Sequence, residues 1–184
     1  AIVYNTIQMY RWDRLDYMNN ILNDHSDIIF GFKLVRGAYM EKEREIANRL
    51  KIKSPICKDK ESTDMNFNLA IDLVFNNLDR ISFVCGSHNE ASILKIMKMM
   101  TEKNIDKNDD KIWFGQLYGM SDNISFNLGI KGYNVFKILP FGPVRNLIPY
   151  LIRRAEENTS VKGQIGRELQ LILNERKRRK LEKI

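Results

Sequence analysis

Two cysteines, two histidines and four prolines are all that 184 residues contain of these types. Cys57 and Cys85 show no CxxC spacing and no histidine cluster beside them, so neither a zinc site nor a disulfide framework is indicated, and a reducing compartment is the default. His25 lies in a polar loop and His88 has no serine elbow near it, which excludes a Ser/His hydrolase arrangement. Acidic residues are scarce at the strand ends, which argues against metal catalysis; no metal ligands are assigned. No apolar run reaches the ~20 residues that span a bilayer, and no secretory signal opens the chain. GxGxxG and GxxxxGK[ST] are missing after every strand, which disfavours Rossmann and P-loop readings.

What the chain has is enough apolar material, 43%, for one well-buried domain. Its net charge of +7 is concentrated in the last helix and tail, about residues 164–184, where Arg176 to Lys180 form a basic run. Basic residues suit a helix C-terminus and a solvated end. No aromatic-interleaved basic face accompanies them, so nucleic acid is not an expected partner. Peripheral contact with an anionic membrane fits better, although the segment has no clean apolar stripe. Ala1-Ile2-Val3-Tyr4 reads as the middle of a buried strand, so the chain is expected to be a piece of a longer one.

One plan repeats along the sequence: a short apolar strand ending in polar residues or glycine, then an amphipathic helix. AIVYNTIQMY precedes a helix in which Leu15, Met18, Ile21 and Leu22 keep helical spacing. IIFGFKLV ends in Arg36-Gly37-Ala38-Tyr39 and is followed by the charged helix MEKEREIANRL. After a loop with Pro55, Thr63-Asp64 is expected to cap the helix MNFNLAIDLVFNNL. ISFVCGS leads through His88 and Asn89 to ASILKIMKMMTEK, KIWFGQLYGM leads to SDNISFNLGIKG, and YNVFKIL leads through Pro-Phe-Gly-Pro to a last helical run. Strands alternating with helices predict a parallel sheet with right-handed crossovers. Five βα units cannot close an eight-stranded barrel, so the expectation is α/β architecture: a (β/α)8 TIM-type barrel of which residues 1–184 form the C-terminal part.

In every unit the polar signature falls at the C-terminal strand end, the edge where barrels and doubly wound sheets bind ligands. Those ends offer donors: amide, imidazole, lysine, arginine and glycine N–H. Such a set fits an anionic or electron-accepting ligand. Lys33 sits inside an apolar strand, where it either snorkels or pairs with a carboxylate, or stands beside a cofactor that gains negative charge on reduction. Adjacent Arg153 and Arg154 diverge by about 100° on a helix, so if Ile148, Leu151 and Ile152 are buried, at least one guanidinium turns inward. It meets either Glu156 or Glu157 or an anionic ligand suited to its planar fork.

KLVRGAYMEKE, GSHNE, GQLYGM and ILPFGPVRNLIPYLIRRAEENTSV, in that order, resemble the proline dehydrogenases. The resemblance implies a (β/α)8 barrel with FAD across the C-terminal strand ends, oxidation of L-proline to pyrroline-5-carboxylate, and quinone as electron acceptor at a membrane. It implies a cytoplasmic protein peripheral to the inner membrane in a bacterium, or a mitochondrial one in a eukaryote. By motif position, Arg153 and Arg154 clamp the substrate carboxylate, and Lys33 lies near flavin N5. Leu34, Tyr39 and Ile138 line the substrate. Gln8, Val35, Gly37, Ser87, His88, Asn89, Arg154 and Glu157 touch FAD, with Lys60 and Gln116 as weaker candidates. Two departures stand out. The family's first half, with a catalytic lysine and an aspartate, has no match here, so the chain alone is expected not to turn over, and a non-catalytic half-barrel is the alternative. Proline-specific members carry tyrosine where this chain has Ile138, which points to hydroxyproline or another cyclic imino acid as the alternative substrate.

Overall fold

The computed structural model describes the backbone of residues 3–160 and 164–181, and the side chains of 3–154 and 169–181. Five strands, β1 (Asn5–Gln8), β2 (Phe30–Val35), β3 (Ile81–Gly86), β4 (Ile112–Leu117) and β5 (Val135–Ile138), form one parallel sheet in the order β1-β2-β3-β4-β5. A sheet whose spatial order follows chain order has no topological switch point, unlike a doubly wound sheet. Right-handed crossovers then put the helices that pack on the sheet on one face, which is the architecture of a barrel sector.

That face is the core. Ile7, Phe32, Leu34, Phe83, Cys85 and Phe114 project from alternate strand positions. They meet Met18 and Leu22 of α1 (Arg14–Asp24), Phe67 and Ile71 of α3 (Lys60–Asn76), Ile93 and Ile96 of α4 (Glu90–Glu102), and Ile124 of α5 (Asp122–Ile130). Each large apolar side chain fully withdrawn here contributes about 1.5–3 kcal/mol. α2 (Met40–Leu50) is different: it buries only Ala47, so it stands outside the helical layer as an excursion between β2 and α3.

Two expectations are corrected. β1 begins at Asn5, and Val3 is exposed because it precedes the first rung of the ladder, Asn5 against Phe32; Ala1 and Ile2 lie outside the described residues. α3 is capped by Asp59, not by Thr63-Asp64. Asp59 is extended and its carboxylate accepts from Ser62 N at 2.8 Å, whereas the Thr63 hydroxyl donates back to Asp59 O from within the first turn.

Residues 1–138 form one compact unit and 139–184 a second. In the second, α6 (Val144–Ser160) and α7 (Gln164–Leu181) pack on each other. Ile148, Leu151 and Ile152, whose burial would turn an arginine inward, are half-exposed, and the apolar run extends around α6 instead of keeping to one stripe.

Candidate active site at the C-terminal strand edge

Strand alternation and register divide the sheet into two faces. Opposite the helices lie Gln8, Lys33, Val35, Gly86, Leu117 and Ile138 at the C-terminal end, with Val84, Trp113 and Phe136 beneath them. Lys33 is the only ionisable side chain the five strands place on that face. It is half-buried, and desolvation alone lowers its pKa; among the described residues no carboxylate pairs with it. Gly86 makes room for it. A Cβ there would come within 3.3 Å of Lys33 Cε and 2.9 Å of Val35 Cγ1. At Gly115 a Cβ would meet the Phe136 ring at 2.8 Å, so two glycines keep this face shallow beside the lysine.

The β2 end is held by backbone bonds from Met9 N to Val35 O and from Tyr10 N to Arg36 O, both 2.8 Å, and by side chains beyond them. Arg36 donates from Nε to Asp64 at 2.6 Å, from Nη1 to Ser87 Oγ at 3.1 Å and from Nη2 to Ser92 Oγ at 3.0 Å, with its guanidinium 4.4 Å from the Phe67 ring centroid. It therefore ties β2, α3 and the start of α4 together. Gly37 has a φ of 113°, and Tyr10 lies across it so closely that an added Cβ would sit 1.7 Å from ring carbons. Tyr10 is fully buried and its hydroxyl donates to Glu43. Burial first, then the neighbouring Glu43 carboxylate, keeps that phenol protonated far above the usual range.

The turn after β3 is equally committed. Ser87 Oγ accepts from Arg36 and from Asn89 N at 3.1 Å, His88 Nδ1 is 2.9 Å from Ser121 Oγ, and Asn89 caps α4 by accepting from Ser92 N at 3.0 Å. Cys85, two residues before Ser87 within β3, is wholly buried, and burial pushes its thiol up to about 12, so it is no nucleophile.

Three sequence expectations change, those for Leu34, Gln116 and Lys60. Leu34 is wholly buried in the core, on the face opposite Lys33 and Val35, because adjacent strand residues point to opposite sides; it supports the sheet and does not line the ligand face. Gln116 shares the helix side with Phe114. Its amide donates to Ser87 O at 3.3 Å and accepts from Ser125 Oγ at 3.0 Å, so it braces the β3 turn from behind instead of offering itself to a cofactor. Lys60 is not in a loop but in the first turn of α3, largely exposed and bonded to Asp64 at 2.6 Å. Tyr39 is the N-cap residue of α2 and is 47% exposed. In the second unit, Arg153 and Arg154 are half-buried with both Nε atoms shielded from solvent, and the Arg154 guanidinium lies 5.4 Å from the Tyr150 ring centroid. Glu157 belongs to α6, but its side chain lies outside the described residues.

Sequence reasoning missed Tyr10, Glu43, Asp64 and Arg36 as organisers. The available signal was spacing: glycine at 37 and glutamate at 43 flank Tyr39, and both meet Tyr10. Chemically, a strand face with one desolvated cation and no carboxylate suits an anionic group that gains electrons, so the residues present fit a flavin.

Fold and site together define a sector of a singly wound (β/α) barrel with its ligand face at the C-terminal strand edge. The family model for proline dehydrogenase matches residues 1–167, and the chain belongs to the proline dehydrogenase family. It is 41% identical over 183 residues to a hydroxyproline dehydrogenase of Xenopus laevis, covering 96% of this chain and 39% of that protein. It is 40% identical to the mitochondrial proline dehydrogenase 1 of Dictyostelium discoideum, covering 97% and 33%. The crystal structure of proline utilization A (PutA) from Bdellovibrio bacteriovorus, inactivated by N-propargylglycine, superposes with a TM-score of 0.78 at 27% identity, over 86% of this chain and 17% of that one. The chain thus spans about two fifths or less of the length of these relatives.

Proposed function

We propose that this chain is the C-terminal portion of an FAD-dependent enzyme that oxidises L-proline to pyrroline-5-carboxylate and passes the electrons to a quinone. The observation that carries the reading, beyond family membership, is Lys33: a half-buried cation with no carboxylate partner among the described residues, on a strand face with no other charge. FAD, when bound, supplies the hydride acceptor. Lys33 holds positive charge where the ligand gains negative charge, and Arg153 and Arg154 take the substrate carboxylate through bidentate, charge-assisted hydrogen bonds. Gln8, Val35, Gly37 and Ser87 to Asn89 hold the cofactor. Quinone as acceptor, contact with a membrane surface and a mitochondrial location belong to the same reading; the Dictyostelium relative is named as mitochondrial.

Hydroxyproline is the second reading, favoured by Ile138, an aliphatic residue at the end of β5, and by the likeness to a protein named hydroxyproline dehydrogenase. Expression of the whole reading frame should give a yellow protein whose visible absorbance bleaches anaerobically with its imino acid. Bleaching by L-proline and not by hydroxyproline selects the first reading, the reverse selects the second, and a colourless protein defeats both. Ile138→Tyr should shift the ratio of kcat/KM values toward proline; an unmoved ratio removes Ile138 from the pocket wall.

A further inference from the structure

We propose that Tyr10 and Glu43 are positioning residues that set Tyr39 against the substrate by pinning α2 to the end of β1. The proposal rests on the proline dehydrogenase reading only for the substrate contact of Tyr39, which follows from its place in the Gly37-Ala38-Tyr39 motif. α2 buries a single residue, Ala47, so burial of its own face cannot fix where it lies. What fixes it is polar and comes from the segment after β1. The Tyr10 hydroxyl and Arg11 Nη1, the latter at 2.9 Å, both donate to the Glu43 carboxylate, and Arg11 is itself held by Asp13 at 2.8 Å. Tyr10 also lies on Gly37, two residues before Tyr39, while Glu43 N donates to Tyr39 O at 3.0 Å from the first turn of α2. One side chain therefore packs on the backbone before Tyr39 and bonds a side-chain carboxylate after it. The return loop is tied to the same segment: Cys57 N donates to Tyr10 O at 2.7 Å, and Trp12 N donates to Pro55 O at 3.1 Å. Gly37, Tyr39 and Glu43 are thus spaced so that one buried phenol reads both ends of the motif.

The test uses the flavin-loaded protein from the whole reading frame and Tyr10→Phe, which keeps the ring on Gly37 and deletes only the hydroxyl. Hydrogen exchange of the α2 amides should accelerate about tenfold while the β2 and β3 amides keep their protection. KM for the imino acid should rise about tenfold with kcat within about twofold. Glu43→Gln, whose amide oxygen still accepts from Tyr10, should fall between Tyr10→Phe and wild type. In a Tyr39→Ala background Tyr10→Phe should add nothing to KM, because the residue it positions is gone. Unchanged α2 exchange overturns the proposal whatever the substrate proves to be, and so does an equal KM effect in the Tyr39→Ala background. A wild-type protein that oxidises no imino acid defeats the functional reading and leaves the exchange result to decide the pinning of α2.

Discussion

Gly37→Ala is expected to lower stability by about 2–6 kcal/mol, the sum of about 1–3 for a left-handed backbone carrying a side chain and about 1–3 for overpacking. Both costs arise at one atom. The φ of 113° is glycine territory, and the new methyl would stand 1.7 Å from two carbons of the Tyr10 ring. The ring cannot swing aside, because Tyr10 is fully buried and its hydroxyl is bound to Glu43. Either the β2 end or the β1 end must move, and Arg36, next in sequence, carries the bonds to Asp64, Ser87 and Ser92. Thermal unfolding followed by circular dichroism should show a midpoint lowered by about 5–20 °C, with loss of bound flavin. Adding Tyr10→Leu should recover part of the loss by relieving the clash, but not the part due to φ. A Gly37→Ala protein that melts within about 2 °C of wild type would show that the loop has another low-energy conformation.

The architecture was legible because hydrophobic periodicity in each unit switches from strand to helix in the same direction, and short crossovers leave few alternatives to a parallel sheet in chain order. The ligand edge was legible for the same reason: Gln8, Ser87 and Ile138 all fall where their strands end. Motif adjacency misled where strand alternation should have ruled. Lys33 and Leu34 are neighbours in the resembling motif, yet the pleat sends one to the ligand face and the other into the core. Gln116, two positions after Phe114, inherits its helix side by the same rule. Thr63-Asp64 offers the same capping chemistry as Asp59 one turn later in the sequence, and only backbone conformation separates the two. The Tyr10 contacts with Gly37 and Glu43 join segments some thirty residues apart, a pairing that local pattern does not encode.

Arg154→Met is expected to raise KM for the imino acid by at least about 30-fold, since removing one partner of a desolvated, hydrogen-bonded charge pair costs about 2–5 kcal/mol. Methionine keeps the unbranched stem, so the packing of the half-buried side chain beside Tyr150 is largely preserved and the lost element is the guanidinium. Arg154→Lys separates charge from shape. It restores a cation without the planar fork, so KM should recover only in part if the carboxylate is held through two parallel N–H donors. Increasing salt distinguishes a merely electrostatic role, because an exposed arginine acting at a distance would lose its effect over about 0.1–1 M ionic strength while a desolvated contact would keep most of it. The structural alternative, a guanidinium serving only the fold of α6, predicts the opposite pattern: a lowered melting temperature, an unchanged KM in the surviving folded protein, and equal rescue by lysine. Steady-state kinetics on the flavin-loaded protein, read beside its melting curve, decide between the two, and an unchanged KM assigns Arg154 to the helix instead of the substrate.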